Sequence, residues 1–538
     1  MASRLIQRML RLPPPATRDL RIDRDLEVPM RDGAVLLADR WAPRVGGEGL
    51  PTVLMRGPYG RGGPVATQLV RPLAERGFQV LLQSARGTGG SSGAFEPPHN
   101  ERLDGIDTVE WVCKQPWFGD ALVLYGPSYL GYTQWAIADQ LPTQVKAIIP
   151  AVTESAIAMA WMRRDAFNLE SALGWGMLVD LQRRPASSIR FLLAARRRRR
   201  AEATLPLAEA GRVALGRHSD VIHNFLVHDD ESPFWSGVDR GGHLQHVEVP
   251  ASLVAGWYDV FLPGQLRDYA LLQAAGRRPR LTVGPWSHSS SGVISAMLHE
   301  ALDFGLAHAH SRTPADRAPV RVFVMGAGQW RDLPSWPPPG YQTRRYHLAP
   351  GGCLVIDPPI SPASDGYRYD PADPTPIVGG ARLLPGIKAG PVDNTRLEAR
   401  PDVLTYSSEP LTEDLEIIGE VGAQIWFRSS LAHADVFVRL CDVDPRGRST
   451  NICDGIAGLT HADDLTCVNV TLTPTAYLFR RSHRIRIQVS SGAFPLYNRN
   501  LGAGKPRLTA TEMRIADQQV HHGPDHPSAI ILPARTAH

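Results

Sequence analysis

The sequence predicts an α/β protein in three parts: a largely parallel sheet covered by helices, a helical cap inserted between two strands of that sheet, and a C-terminal β-sandwich of the jelly-roll type. Three observations carry this expectation. Short apolar runs alternate with helix-length amphipathic segments over the first 150 or so residues. The alternation breaks between Thr153 and Val247, where the pattern is helical, and resumes at Ala251. Beyond Ser311-Arg312-Thr313-Pro314 the helical pattern gives way to short strands set among Pro and Gly. A chain of 538 residues is in any case too long for one hydrophobic core.

The expected division is a tail at 1–20, a first part of the sheet domain at 21–152, the cap at 153–247, the rest of the sheet domain at 248–315 and the sandwich at 316–538. The first ordered unit is a hairpin of 26–30 and 34–41, joined at Arg31-Asp32-Gly33, because Asp-Gly supplies the positive φ such turns need. The sheet follows as apolar runs at 52–55, 78–82, 121–125, 145–149, 252–256 and 281–283, with helices expected at 67–75, 104–114 and 129–139. Apolar strands separated by helices read as a parallel sheet buried on both faces. In the cap, 156–162, 167–181 and 189–195 are expected to be helical, with Trp161, Phe167, Trp175, Phe234 and Trp235 making it rich in aromatic rings. Strands are expected at 320–324, 345–348, 423–427, 436–440, 468–472 and 484–489, the last alternating cleanly as Arg-Ile-Arg-Ile-Gln-Val.

Composition excludes several classes. Hydrophobic residues are 43% and charged residues 21%, as in ordinary globular proteins, and a net charge of +4 is too small to argue for nucleic acid. The run Arg196 to Arg200 reads as a solvated helix face or loop before a binding patch. Five cysteines without a CxxC pair make neither a disulfide framework nor a zinc site and suit a reducing compartment. No stretch approaches a membrane span, and the first 20 residues lack an apolar signal core, so a cytoplasmic protein is expected. His308-Ala309-His310 is the nearest thing to a metal-ligand pair and lacks a third ligand; no metal or cofactor is expected.

The chemistry centres on Leu122-Val123-Leu124-Tyr125-Gly126-Pro127-Ser128-Tyr129-Leu130-Gly131. A strand ends at Gly126 and a helix begins near Tyr129, which puts Ser128 on the sharp turn of a nucleophile elbow. The second glycine stands three residues after the serine, not two as in G-x-S-x-G, so this segment alone also fits a plain strand–helix turn. Asp259 and His288 add weight. Gly256-Trp257-Tyr258-Asp259 and Gly284-Pro285-Trp286-Ser287-His288 each follow an apolar run, which places both polar residues just past the carboxyl ends of strands. Ser, Asp, His is the chain order of α/β-hydrolases, with His288 as base, Asp259 orienting it and the N–H of Tyr129 as an oxyanion donor.

These three segments resemble motifs of the cocaine esterase and X-Pro dipeptidyl-peptidase family (CocE/NonD-type hydrolases). Arg56-Gly57-Pro58-Tyr59-Gly60, Arg86-Gly87-Thr88-Gly89-Gly90-Ser91-Ser92-Gly93, Asp104-Gly105 through Trp111 to Trp117, and Ser490-Ser491-Gly492-Ala493-Phe494-Pro495 with Asn498-Arg499-Asn500 fit as well. The resemblance spans roughly residues 25–530 and implies an α/β-hydrolase domain, a helical cap and a C-terminal jelly roll. It points to the Tyr59 phenol as second oxyanion donor, the alternative being ordinary loop packing. By position it makes Trp161, Trp175 and Phe261 walls of an acyl pocket, the alternative being core. One position departs from the pattern: the family's aspartate two residues before the Arg-Gly of the second motif is Ser84 here, and the expected effect is on loop packing.

The function expected is hydrolysis of carboxylic esters of small to medium, bulky apolar or aromatic acyl groups through an acyl-enzyme. The alternative is an amide or peptide hydrolase with the same triad, such as an X-Pro dipeptidyl-peptidase or an acylase. An aminopeptidase needs carboxylates to hold an α-ammonium, and Asp165, Glu170, Asp229, Asp230 and Glu231 are the candidates in the cap. The resemblance also implies that such peptidases carry a large extra N-terminal domain, whereas the sheet here begins within about 50 residues of the start. A third reading is a binding protein whose jelly roll recognises carbohydrate or protein, though the sandwich is expected instead to wall the site. A small-molecule substrate is the partner expected, with a homodimer possible and neither nucleic acid nor membrane.

Overall fold

The computed structural model describes residues 2–163, 166–182, 191, 193–229 and 231–536. The chain runs through β1 (Leu20–Pro29), β2 (Val35–Pro43), β3 (Thr52–Gly57), β4 (Gln79–Ser84), β5 (Leu122–Pro127) and β6 (Val145–Ala151) before entering the cap. The cap holds a small hairpin, β7 (Met162–Arg163) and β8 (Ala166–Phe167). The sheet resumes with β9 (Ser252–Tyr258), β10 (Arg280–Ser287), β11 (Val320–Val324) and β12 (Gln329–Leu333).

Hydrogen bonding orders this sheet β1-β2-β4-β3-β5-β6-β9-β10-β11-β12. The strands from β4 to β11 are parallel, and the antiparallel β1–β2 hairpin and β12 close its two edges. Burial on both faces follows from the apolar runs. Val53 and Met55, Val123 and Tyr125, and Ala147 and Ile149 enter the core on one face. Leu54, Leu122, Leu124 and Ile148 alternate with them and enter the core on the other. The chain passes from β3 to β4 on one side and then crosses to β5 on the other. That reversal opens a crevice at the carboxyl ends of β3 and β5, where such sheets place their sites.

The helices differ in detail from expectation. The segment 67–75 is a broken helix: α2 (Gly63–Val65), a π turn at Ala66–Val70, and α3 (Arg71–Ala74). The next two, α4 (Glu101–Cys113) and α5 (Tyr129–Trp135), match their expected segments, α5 giving way to a 3-10 turn at Ala138–Gln140. The tail is partly ordered. Its helix α1 (Ala2–Met9) sends Ile6, with Leu10 and Leu12 just beyond, into the core on the β3–β5 face.

In the cap, 156–162 is not a helix. A 3-10 turn at Ile157–Ala160 leads into the β7–β8 hairpin, closed by Asn168 N–H donating to the Trp161 carbonyl at 2.8 Å. Ala166 packs there against Phe437, Ile456 and Ala493 of the sandwich, a tertiary contact that local propensity does not register. α6 (Leu169–Gln182) therefore starts two residues later than expected. Most of the expected 189–195 helix lies outside the described residues; Ala195–Ala203 is helical, with Arg196, Arg197, Arg199 and Arg200 exposed.

One strand of the expected C-terminal unit pairs with the first sheet. Val320–Val324 was expected in the C-terminal unit (316–538), yet it extends the first sheet parallel to β10, with β12 as its outer neighbour. Alternating apolar residues make a half-buried strand in either sheet, so periodicity does not choose between them. From Gln342 onward the strands belong to a second sheet. Strands far apart in its hydrogen-bonding order share one core, with Phe427, Val438, Val470 and Ile487 all in it, so the sheet closes on itself as a sandwich. Among the described residues no helix is long and apolar enough to cross a membrane.

Candidate active site

Ser128 lies between β5 and α5 with φ 58° and ψ −127°, a strained conformation for a residue with a side chain. The strain is held from both sides. Ser128 N–H donates to the Ala151 carbonyl at 2.8 Å, and the amides of Gly131 and Tyr132 donate back to the Ser128 carbonyl at 2.8 and 3.0 Å. Gln134 pins the helix to the sheet, accepting from Ile149 N–H at 3.0 Å and donating to the Gly126 carbonyl at 3.3 Å. The glycine spacing has a steric reason: a Cβ on Gly131 would stand 2.4 Å from Thr153 Cγ2, and one on Gly126, at φ 151°, 2.4 Å from Leu130 Cβ. Tyr129 heads α5, so its N–H has no carbonyl within the helix to bond and is open to an acceptor beside Ser128.

Asp259 and His288 come together as expected. Each follows immediately on its strand, β9 and β10, and His288 Nδ1 stands 2.6 Å from Asp259 Oδ2. The second Asp259 oxygen accepts the Phe261 N–H at 2.7 Å, so the fully buried carboxylate is fixed in the plane that the histidine needs. Ser287 N–H donates to Ser290 Oγ at 2.9 Å and closes the loop carrying the histidine. With Nδ1 committed to Asp259, Nε2 is the nitrogen left to take a proton. The His288 side chain is 12% exposed and its ring lies 5.5 Å from that of Phe261.

Ser128, Tyr129, Trp161, Trp175 and Phe261 line one narrow cleft. Its remaining walls escaped sequence reasoning: Pro97 and Pro98 from the loop after β4, Ile157 and Phe225 from the cap, and Leu383 from the C-terminal part. Trp161, Trp175 and Phe225 are in mutual ring contact, with centroids 4.9 to 6.4 Å apart. Pro97 and Phe225 also wall a wider cavity of about 600 Å³, lined further by Glu96, His99, Asp220 and Asn224.

Tyr59 sits two residues beyond β3. Its hydroxyl accepts the Trp175 indole N–H at 3.0 Å and interacts with the Ser128 side chain. Burial pushes the phenol's pKa up, so it stays protonated and able to donate. Behind the elbow, the Tyr129 hydroxyl donates to Glu101 Oε1 at 2.8 Å, and Arg56 stands 3.0 Å from Glu101 Oε2. Burial pushes the Glu101 pKa up, an effect that Arg56 and the Tyr129 bond oppose.

The remaining expectations resolve plainly. Ser84 is buried at the end of β4 and accepts from Arg61 at 2.8 Å, while Asp39 takes the guanidinium's charge at 2.9 Å. Ser91 Oγ closes the loop on the Ser84 carbonyl at 3.0 Å, so a serine here leaves the loop packed. Glu170 is bound to Arg382 and does not line the cleft; Asp229 and Glu231 are exposed. Asp165 and Asp230 lie outside the described residues. His308 packs edge-on to Phe304 at 4.4 Å.

Residues 32–290 match the profile of the X-Pro dipeptidyl-peptidase (S15 family), and residues 313–531 that of the X-Pro dipeptidyl-peptidase C-terminal non-catalytic domain. Cocaine esterase of Rhodococcus sp. (strain MB1 Bresler) is 34% identical, over 94% of this chain and 97% of that esterase. Three solved structures share the fold. An aminopeptidase from a Thaumarchaeota archaeon of marine sediment has a TM-score of 0.82 at 22% identity, covering 96% of each chain. An α-amino acid ester hydrolase has a TM-score of 0.80 at 22% identity, covering 97% of this chain and 98% of its own. A CocE/NonD family hydrolase from Staphylococcus aureus has a TM-score of 0.72 at 16% identity, covering 96% and 94%.

Proposed function

The chain belongs to the X-Pro dipeptidyl-peptidase (S15) family and is a serine hydrolase of esters, and we propose that its substrates carry a bulky apolar or aromatic acyl group. The wall of the Ser128 cleft carries this reading. Ile157, Trp161, Trp175, Phe225, Phe261 and Leu383 present apolar surface, and no charged side chain is among the lining residues. An aromatic acyl ring buried there gains about 2–3 kcal/mol over an acetyl group from apolar contact. A peptide's α-ammonium has no counter-charge on the same wall. Of the carboxylates named above for that role, Glu170 is already paired with Arg382, and Asp229 and Glu231 face solvent; Glu96 and Asp220 line the adjoining cavity, not this wall.

In the mechanism we assign, Ser128 Oγ attacks the ester carbonyl carbon while His288 Nε2 takes its proton. Asp259 holds the imidazole in the tautomer with the proton on Nδ1 and stabilises the cation that forms. The oxyanion receives the Tyr129 N–H and the Tyr59 O–H, with the amino end of α5 adding positive potential. Collapse expels the alcohol, which takes its proton from His288. Water then enters by the same route, activated by His288, and releases the acid from Ser128. We also propose a cytoplasmic location, supported by cysteines that are all free thiols, including Cys441 and Cys453 on adjacent strands.

The test compares hydrolysis of p-nitrophenyl acetate, butyrate and benzoate with that of Ala-Pro-p-nitroanilide, in wild type and Ser128→Ala. The expected result is a rate rising toward benzoate, negligible anilide cleavage, and loss of both in the variant. Dominant anilide cleavage would move the protein to the peptidase reading. Ester hydrolysis surviving Ser128→Ala would remove the nucleophile.

A further inference from the structure

We propose that Trp175 is a positioning residue for the oxyanion site: its indole N–H fixes the direction in which the Tyr59 hydroxyl donates. The proposal rests on the assignment of Tyr59 as an oxyanion donor. It starts from the polarity of one hydrogen bond. An indole nitrogen donates and never accepts, so in the 3.0 Å contact the Tyr59 oxygen is the acceptor. The phenol's own proton must then go elsewhere. The Ser128 side chain lies against the phenol as well, and the oxyanion forms beside that serine, so the O–H is left to turn toward the oxyanion as it develops. A phenol O–H without that constraint rotates between two in-plane positions, and only one of them serves the reaction. An N–H donated to the phenol oxygen also polarises its O–H and strengthens the bond it donates.

A second contact joins Trp175 to the other donor. Its ring stacks on Tyr129 at 5.7 Å and 17°. The Tyr129 hydroxyl in turn holds Glu101, and Glu101 holds Arg56, which precedes Tyr59 by three residues on the same strand end. The two donors are thereby joined in a closed ring of contacts with Trp175 as its member from the cap. α6, which carries Trp175, is gripped on the adjacent turn by the C-terminal part. Leu384 fills the space a Cβ on Gly174 would need, and Arg382 pairs with Glu170. The seat of the cap on the sandwich therefore reaches the oxyanion site through one indole N–H.

A double-mutant cycle of Trp175→Phe and Tyr59→Phe tests this, with p-nitrophenyl acetate, whose acyl group is too small to fill the aromatic wall. Active sites are counted by fluorophosphonate labelling of Ser128, so that misfolded molecules drop out of kcat. Tyr59→Phe is expected to lower kcat on the order of a hundredfold. Trp175→Phe is expected to lower kcat about fivefold to tenfold with KM little changed. The double variant should be no slower than Tyr59→Phe alone. If Trp175→Phe costs the same factor whether residue 59 is Tyr or Phe, Trp175 only packs and the proposal is overturned. If Tyr59→Phe alone keeps wild-type kcat, the underlying donor assignment falls first and takes the proposal with it.

Discussion

Arg382→Met tests how the C-terminal part holds the catalytic cleft. Arg382 and Glu170 form a two-pronged ion pair between a loop within the C-terminal part and α6, with one bond at 2.7 Å. Glu170 is 1% exposed and Arg382 6%, so neither charge has water to fall back on. Methionine keeps most of the apolar stem and removes the charge, leaving a buried carboxylate alone. Breaking a buried pair in this way costs about 3–5 kcal/mol. Glu202 is close enough for its charge to be felt at Glu170, and it adds repulsion once the guanidinium is gone. Replacing both partners, Glu170→Met with Arg382→Met, leaves no stranded charge and is expected to recover most of the loss, to within about 1 kcal/mol of wild type. Urea unfolding followed by tryptophan fluorescence reads both values, because Trp161, Trp175 and Trp235 all sit in the cap core. The same variant loosens the neighbouring Leu383, a wall of the cleft, so the preference for p-nitrophenyl benzoate over acetate should narrow. A single variant within 1 kcal/mol of wild type, or a double variant as costly as the two singles summed, would refute the reasoning.

Two further outcomes are expected. Trp161→Ala removes a wall contact worth about 1–3 kcal/mol to an aromatic acyl group, so the benzoate-to-acetate ratio of kcat/KM should fall about tenfold or more; a lower melting temperature with an unchanged ratio would mean that Trp161 only packs. Glu202 has its pKa pushed up from 4.5 to about 7, chiefly by burial, against the pull of Arg198. Between those values the native state holds a proton that the unfolded chain has released, so stability falls as pH rises from about 4.5 to 7, by on the order of 3 kcal/mol at most. Glu202→Gln, which cannot ionise, should therefore melt higher than wild type at pH 8 and show a flatter profile of melting temperature between pH 5 and 8. A variant that melts lower at pH 8 would show that the charged carboxylate stabilises through Arg198.

The Asp259–His288 pair was legible because parallel-sheet geometry turns a local pattern into a position. An apolar run followed by Asp259 or His288 marks the carboxyl edge of the sheet, and one edge gathers whatever stands at it. Ser128 was legible for a related reason, since Gly126 and a helix start bracket it. Tyr59, Trp161, Trp175 and Phe261 were placed by resemblance alone; the structure brings the last three to the same cleft as the serine and bonds Tyr59 to one of them, Trp175. Where the reading failed, the deciding contacts were long-range. Residues 156–162 have helical composition, yet Ala166 pairs the segment with the sandwich and a hairpin results. The strand Val320–Val324 carries the same alternation whichever sheet it joins, and only hydrogen bonding to β10 assigns it.

Leu383 shows the limit most sharply, because it stands 255 residues beyond Ser128 in sequence and still walls the same cleft. No periodicity links the two positions. What brings them together is an ion pair and a glycine: Arg382 on Glu170, and Leu384 over Gly174, on the two sides of Leu383 in sequence. Both anchors grip α6 within the turn and a half that precedes Trp175. A single stretch of α6 therefore receives the C-terminal part and presents an indole to the catalytic serine's neighbour. The sandwich follows the hydrolase part in the same chain, and one of its loops brings Leu383 to the cleft beside Ser128 while holding the helix that carries Trp175. On that argument, removing the sandwich should abolish ester selectivity and slow acetate hydrolysis together, although the triad lies wholly outside it.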